Sequence, residues 1–78
     1  MFYTYILKSL KNGKFYIGYT GNLLKRLERH NAGYANYTKN RGPFKMVYSE
    51  TFATRIEAIK REKQIKNYKG GDEFKKLI

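Results

Sequence analysis

The chain has 78 residues, no cysteine, and 17 lysines and arginines against 6 acidic residues, which gives a net charge of +11 at pH 7. This length predicts a single domain over residues 1–78 with a modest core, and the lack of cysteine excludes disulfide bonds and thiolate metal sites. Because no apolar run is long enough to span a membrane and the first residues are unlike a signal peptide, we expect a cytoplasmic protein.

The positive charge predicts a polyanionic partner, because a small basic domain attracts polyanions through a long-range field. Nucleic acid is the partner we favour, since phosphates release counterions when cations bind and the chain's eight tyrosines offer surfaces for base stacking. A merely charged, solvated surface is the alternative. A membrane surface is a weaker alternative, because no helix pairs a basic face with a broad apolar one.

The first twenty residues predict a β-hairpin. Residues 2–9 are rich in β-forming residues and have apolar side chains on both faces of the predicted strand, which is typical of an inner strand. Residues 15–20 predict the second strand. Between them, Asn12-Gly13 is the strongest short signal for a tight turn.

The length of the hairpin loop decides how the two strands pair. With a two-residue turn, Tyr5 and Tyr16 share a face of the sheet but lie about 13 Å apart along it. A longer loop over residues 9–13, which shifts the register by an even step, brings the two tyrosines together. The residues alone leave both loops open.

A helix over residues 23–32 is predicted next, with Asn22 as its N-cap and Gly33 as its end. Its predicted core stripe consists of three leucines, Leu23, Leu24 and Leu27. Residues 33–43 predict a loop. The loop's aromatic, polar and cationic residues would suit contacts with a nucleic-acid backbone, and an ordinary solvated connection is the equal alternative. The residues concerned are Tyr34, Tyr37, Thr38, Lys39 and Arg41.

The last third of the chain predicts a strand and two helices. Residues 44–52 form the third predicted strand, and a capping box begins a helix at Thr54 that runs to about Tyr68. Asp72 is the expected cap of a short last helix over residues 73–78. Three apolar residues would anchor this helix: Phe74, Leu77 and Ile78.

Glu62 departs from the expected pattern, because helical spacing places it on the apolar stripe of the second long helix. A carboxylate there must be paired, hydrogen-bonded or bound to a metal, since an unpaired buried charge is costly. Lys66, one turn later, is the nearest candidate partner, and Arg61 or Lys60 could pair less directly. A salt-bridged carboxylate at the rim of the core and a metal ligand are therefore the two interpretations.

Five residues have the chemistry that phosphodiester cleavage needs: Tyr5, Tyr16, Arg26, His30 and Glu62. A planar guanidinium suits a phosphate, a carboxylate suits Mg²⁺, and a histidine that titrates near neutrality can shuttle a proton. Arg26 and His30 are four residues apart on the predicted helix and so project from one face. Each residue also has a structural interpretation, as a core aromatic, a surface cation or a helix C-terminal histidine.

Several motifs in order along the chain resemble a known family. They are Tyr3-Thr4-Tyr5-Ile6-Leu7, Phe15-Tyr16-Ile17-Gly18, Gly21–Leu27 with His30, Val47–Glu50, and Glu57–Glu62 with Ile65-Lys66. With these motifs the sequence resembles the GIY-YIG nuclease superfamily, in particular small single-domain bacterial members similar to the N-terminal nuclease module of the excinuclease C subunit. The first motif departs from the family pattern, since Tyr3-Thr4-Tyr5 stands where the family has Gly-Ile-Tyr.

The resemblance implies an α+β fold, a small three-stranded, mainly antiparallel sheet flanked by helices, with both tyrosines on one sheet face beside the first long helix. It implies a metal-dependent DNA endonuclease in which Glu62 holds one Mg²⁺ or Mn²⁺, Arg26 binds the scissile phosphate, and Tyr5 or Tyr16, helped by His30, activates water. Of the two tyrosines we favour Tyr5. Because a two-residue turn would hold the two tyrosines too far apart for this site, the resemblance leads us to predict the longer hairpin loop. Nucleic-acid contacts are expected from Lys14, Arg29, Tyr37, Lys39, Arg41 and Lys66.

Three functions remain open on the sequence. The first is a DNA endonuclease of repair or recombination that selects DNA structures or has weak sequence preference. The second is a non-catalytic nucleic-acid-binding module that retains the fold, and the third is a small basic protein of a ribonucleoprotein. No zinc-finger or helix-turn-helix signature stands out, so we expect a monomer that cuts with little preference or works with a protein partner that supplies specificity.

Overall fold

The chain forms a three-stranded antiparallel sheet with helices packed on both faces. The computed structural model describes residues 1–32 and 42–78. Its strands are β1 (Phe2–Ser9), β2 (Phe15–Thr20) and β3 (Phe44–Phe52), in the spatial order β2-β1-β3. Its helices are α1 (Leu23–Asn31), α2 (Arg55–Asn67) and α3 (Asp72–Lys75). The predicted α+β fold and the predicted inner position of β1 are confirmed.

The hairpin between β1 and β2 has the longer loop. Tyr5 pairs with Gly18 and Leu7 pairs with Tyr16, so the two tyrosines share a face and lie two residues apart along the sheet. Residues 10–14 make the connection, in which Gly13 has a φ of 74° and its N–H donates to the Ser9 carbonyl at 2.9 Å. The predicted shift of register is therefore confirmed, and the Asn-Gly signal marks the left-handed residue without setting the loop length.

Each face of the sheet has its own small core. On one face Tyr5, Leu7 and Phe44 are buried and pack against leucines of α1. On the other face Ile6 packs with Ile65 of α2 and with α3. Because α1 and α2 cover opposite faces, side chains from the two helices can meet only beyond an edge or an end of the sheet.

The helix starts follow the sequence closely. The Asn22 side chain accepts a hydrogen bond from the backbone N–H of Lys25 at 3.0 Å, and Thr54 forms the predicted capping box with Glu57. The predicted leucine stripe of α1 is wrong at Leu24, whose exposed fraction is 76%. Leu23 and Leu27, one turn apart, face the core. Leu24 follows Leu23 directly, so its side chain is rotated about 100° around the helix axis and points away from the core.

The last helix differs from its prediction. Gly71, not Asp72, is the N-cap, it makes no side-chain capping bond, and the helix ends at Lys75. Lys69 and Gly70 both have positive φ values, so the chain reverses after α2 and the new helix starts with Asp72 already in its first turn. Phe74 is buried and Leu77 packs beside it, whereas Ile78 is 46% exposed and does not anchor the helix.

Candidate active site

An open cavity of about 490 Å³ lies at the edge of the sheet where β2 ends. Its lining includes Tyr5 from β1, Arg26 from α1 and Glu62 from α2. Gly18 and Thr20 of β2 also border it. The structure thus brings three of the five predicted catalytic residues to one place, although they lie far apart in the sequence and on helices that cover opposite faces.

The Tyr5 hydroxyl is hydrogen-bonded to Nε2 of His30 at 3.1 Å. Both side chains are buried, with exposed fractions of 2%, and their rings meet edge to face. Burial, and then the nearby Arg26 guanidinium, lower the pKa of His30 below its ordinary value of 6.5. The expected titration near neutrality is therefore shifted downward, and the imidazole is neutral at neutral pH, able to accept a proton.

Gly18 lets the Tyr5 ring reach the cavity. A Cβ atom at residue 18 would lie 2.5 Å from the Tyr5 hydroxyl oxygen and 2.7 Å from Cζ. Real Cβ atoms essentially never come this close to another heavy atom, so any side chain at residue 18 would displace the phenol. The glycine is required here for close approach.

The Glu62 carboxylate forms the ion pair predicted for it, with Lys66 one turn later. Its Oε2 lies 3.6 Å from the ammonium nitrogen, and the exposed side-chain fractions are 16% for Glu62 and 54% for Lys66. The pair is long and one partner is largely in solvent, so the pair is weak. The carboxylate at the cavity wall therefore retains capacity for another cation.

Three other predicted residues that the structure describes do not line the cavity. Tyr16 shares the face of Tyr5, but its ring packs edge to face on Phe44 at a centroid distance of 5.4 Å. Lys14 is exposed in the hairpin loop, and Arg29 is exposed on α1. The loop residues Tyr34, Tyr37, Thr38, Lys39 and Arg41 lie outside the described residues.

A family model for the GIY-YIG catalytic domain matches residues 1–75 of this chain. The chain belongs to the GIY-YIG family. Domains of this type define a nuclease family whose members generally depend on divalent metal ions. The resemblance seen in the sequence motifs is confirmed.

Similar proteins occur in several bacteria. A UPF0213 protein of Staphylococcus saprophyticus is 48% identical over 67 residues, covering 85% of this chain and 80% of its own length. A UPF0213 protein of Clostridium perfringens is 51% identical over 67 residues, covering 85% and 71%. The solution NMR structure of a UPF0213 protein from Bacillus halodurans is 39% identical, with a TM-score of 0.50, covering 86% of this chain and 72% of the other. These are likewise small proteins.

The departure in the first GIY-YIG motif has a structural role. Thr4 is fully buried, and its hydroxyl donates to the carbonyl of Ala58 at 2.7 Å. This bond ties the central strand to α2 one turn before Glu62. The threonine thus helps to fix the helix that carries the carboxylate, while Tyr5, the residue shared with the motif, lines the cavity.

The side chains of the cavity suit a metal ion whose ligands come partly from the protein and partly from the substrate and water. Among residues 1–32 and 42–78, no group of three or more His, Cys, Asp or Glu side chains could cage an ion. The Glu62 carboxylate lies at the wall of an open cavity, where it would supply one hard oxygen ligand. One or two carboxylates, with substrate phosphate and water, are an ordinary arrangement for Mg²⁺. The residues present therefore fit a GIY-YIG metal ion bound together with substrate.

Two residues of the cavity were not singled out in the sequence. Arg55, in the first turn of α2, donates to the Tyr19 hydroxyl at 3.0 Å, and its guanidinium carbon lies 5.6 Å from the ring centroid. Both residues line the cavity and add a second guanidinium to it. Strand alternation places Tyr19 on the face that α2 covers, and the capping box places Arg55 at the start of α2. Combining these two signals would have found the pair.

In the part of the chain that the structure describes, no helix is both long and apolar enough to cross a membrane.

Proposed function

We propose that this GIY-YIG protein is a metal-dependent endonuclease that hydrolyses DNA phosphodiester bonds. The observation that carries the proposal is the shared cavity of Tyr5, Arg26 and Glu62. The net charge of +11 supports a nucleic-acid partner, because a field of this size attracts a polyanion over a long range. We further place the enzyme in the cytoplasm, as a monomer in DNA repair or recombination that selects DNA structure or obtains specificity from a protein partner.

The charged residues of the cavity, Arg26, Glu62 and Arg55, act on the substrate phosphate. The Arg26 guanidinium binds the oxygens of the scissile phosphate, for which its planar fork is well suited. Glu62 would hold one Mg²⁺ or Mn²⁺. When bound, such an ion would neutralise the negative charge that develops on the phosphate oxygens. Arg55, already fixed by Tyr19, adds positive charge to the same cavity.

Tyr5, rather than Tyr16, orients the attacking water, because Tyr5 lines the cavity and is bonded to a neutral imidazole. The water gives a proton to the Tyr5 oxygen while the Tyr5 hydroxyl proton passes to Nε2 of His30. Burial, and then the charge of Arg26, disfavour the resulting imidazolium and lower the pKa of His30. A phosphate bound to Arg26 offsets the effect of the guanidinium, so the relay becomes easier when the substrate is in place.

The test is cleavage of supercoiled, branched and single-stranded DNA by purified protein, with Mg²⁺, with Mn²⁺ and with a chelator. We expect metal-dependent nicking that Arg26→Ala slows by about a hundredfold or more, because the phosphate loses its main ligand. Arg26→Lys should recover only part of the rate, since the charge returns without the planar fork. Lys63→Ala, at an exposed position of α2, removes the same charge and is the matched control. No cleavage of any substrate with either metal would contradict the proposal.

A non-catalytic nucleic-acid-binding module is the second candidate. The ion pair of Glu62 with Lys66 favours it, because the carboxylate then has a protein partner without any metal ion. This candidate predicts salt-sensitive DNA binding without cleavage, and no change in affinity for Glu62→Gln at any divalent ion concentration. Metal-dependent cleavage excludes it. Preferential binding of RNA over DNA would instead indicate a ribonucleoprotein component.

A further inference from the structure

A second cavity, of about 370 Å³, lies between the beginning of β2, the end of α2 and α3. Its apolar floor includes Phe15, Ile65 and Phe74. Three lysines, Lys14, Lys66 and Lys69, stand around it. The chain therefore combines an aromatic floor with a cationic rim, outside the cavity that holds Tyr5, Arg26 and Glu62.

Phe15 is the aromatic residue of this cavity that a ligand can reach. It is 37% exposed, whereas Phe74 is 4% exposed. The two rings meet edge to face at a centroid distance of 5.2 Å, and the Lys8 ammonium lies 5.8 Å from the centroid of Phe15. The ring is thus held in place by its neighbours while part of its surface remains open to solvent. Fixed aromatic surfaces beside cations are what sequence-tolerant single-strand binding sites use.

The two cavities are neighbours along α2. Glu62 lines the first cavity, Lys66 lines the second, and the two side chains form an ion pair. Lys66 is one helical turn after Glu62, which corresponds to about 6 Å along the helix axis. Stacked DNA advances about 3.4 Å per nucleotide of one strand. A strand with a phosphate beside Glu62 therefore has to extend only about two nucleotides to reach the second cavity.

We propose that the second cavity binds an unpaired nucleotide of the DNA substrate, close to the scissile phosphate. The base packs against Phe15 over the apolar floor, and the adjoining phosphates contact Lys14 and Lys69. A base inside a duplex has neighbours stacked on both of its faces, so only an unpaired or frayed base can enter. The proposal rests on the proposed function for the position of the cut, and it narrows the substrate to DNA with a single-stranded segment next to the cleavage site.

The test measures binding in a chelator, so that it does not depend on cleavage. Fluorescence anisotropy compares a blunt duplex with the same duplex carrying a single-stranded tail. We expect the wild type to prefer the tailed duplex, and Phe15→Leu to weaken binding of the tailed duplex by about tenfold because a stacking surface is lost. Phe15→Tyr, which keeps the aromatic face, should retain the preference. Binding of the blunt duplex should change less than about twofold, since the base cannot enter.

The lysines give a second, independent measurement. Replacing Lys14 and Lys69 by alanine should lower the salt dependence of binding to the tail by about 1.4 in log K against log salt, from about 0.7 per phosphate contact on a single strand. Both side chains are exposed, so this variant keeps the proposal testable if Phe15→Leu unfolds. Lys45→Ala, exposed on β3 at the opposite edge of the sheet, should leave the slope unchanged.

The two proposals fail in distinguishable ways. The nucleotide site would be overturned if the Phe15 variant and the double lysine variant both bound the tailed and the blunt duplex as tightly as the wild type does. This result would count whether or not the protein cuts DNA. A wild type without preference for the tail would also overturn it. Conversely, a tail preference that Phe15→Leu abolishes, in a protein that never cleaves, would support the nucleotide site while contradicting the nuclease proposal.

Discussion

The two edges of the sheet use the same kinds of side chain in different ways. At the β3 edge, the Glu50 carboxylate accepts hydrogen bonds from the Arg61 guanidinium at 2.8 Å and from the Tyr48 hydroxyl at 2.6 Å. The guanidinium also donates to Gln64 and Tyr68. At the β2 edge, Glu62 has a 3.6 Å ion pair with an exposed lysine, and its cavity is open.

The difference shows which carboxylate is available to a ligand. Glu50 is the main cause of the raised pKa of Arg61, and its hydrogen bond, after burial, raises the pKa of Tyr48. Glu50, Arg61 and Tyr48 are hydrogen-bonded to one another, and these bonds hold α2 against β3. Glu62 is similarly shielded from solvent, with 16% of its side chain exposed against 27% for Glu50. Solvent exposure therefore does not distinguish the two carboxylates. They differ in the number and the length of the hydrogen bonds and ion pairs that they form.

The largest expected effect comes from exchanging the two carboxylates for amides. If Glu62 holds the proposed metal ion, Glu62→Gln should lower metal-dependent cleavage by about 10³-fold, a loss of about 4 kcal/mol in transition-state stabilisation, because the ion would lose the one carboxylate among the described residues that line the cavity. Glu50→Gln, at the other edge, should leave the cleavage rate of the folded protein within about threefold. Initial rates of plasmid nicking at saturating Mg²⁺ give the comparison.

The free energy of unfolding should show the opposite order, with the larger loss for Glu50→Gln. Glu50→Gln weakens two charge-assisted hydrogen bonds and should cost about 1–3 kcal/mol of unfolding free energy. Glu62→Gln should change it by less than about 1 kcal/mol, because a long, half-exposed ion pair contributes little. Urea unfolding followed by circular dichroism checks both. If Glu50→Gln abolished cleavage without destabilising the fold, the distinction between the two edges would be wrong.

A smaller effect on cleavage is expected from moving Tyr5 without removing it. In Gly18→Ala the new methyl group would lie within 2.7 Å of the phenol, so the ring must shift. A displacement of about 1 Å in a reacting group can cost about a hundredfold in rate. Gly21→Ala is the matched control, because its methyl group would meet the Phe2 ring at 3.7 Å, an ordinary contact. Equal rates for the two variants would show that the phenol position does not matter.

The elements of the fold follow from local signals in the sequence. Strand alternation, the Asn22 cap and the Thr54 capping box each depend on residues within a few positions, so they could be interpreted without tertiary structure. The register of the hairpin could not be read from its turn signal alone. Asn12-Gly13 favours a two-residue turn, and only the family resemblance, which implies that Tyr5 and Tyr16 lie together, indicated the longer loop. The errors at Leu24 and Asp72 lie at the margins of elements, where small rotations and shifts decide exposure.

The cavity depends on long-range packing, and the sequence predicted only part of it. The chemistry of Tyr5, Arg26 and Glu62 could be recognised, but their meeting point arises because β2 is an edge strand between helices on opposite faces. The exclusion of Tyr16 follows from its packing on Phe44, a residue 28 positions later. The burial of His30 likewise could not be read from its place at the end of a helix, where exposed histidines are common.

The smallest expected effect concerns His30, the only histidine of the chain. Its pKa is lowered in the folded state by burial and by Arg26, so the unfolded chain binds a proton more readily between the lowered pKa and 6.5. The contribution of His30 to stability is therefore fully present above pH 6.5 and is lost as the pH falls through the lowered pKa. Cleavage should fall over the same range, since a protonated Nε2 cannot accept the Tyr5 proton. NMR titration of the single imidazole, with urea unfolding at each pH, measures both. His30→Gln should flatten this part of the stability profile, and an unchanged profile would mean that another group causes it.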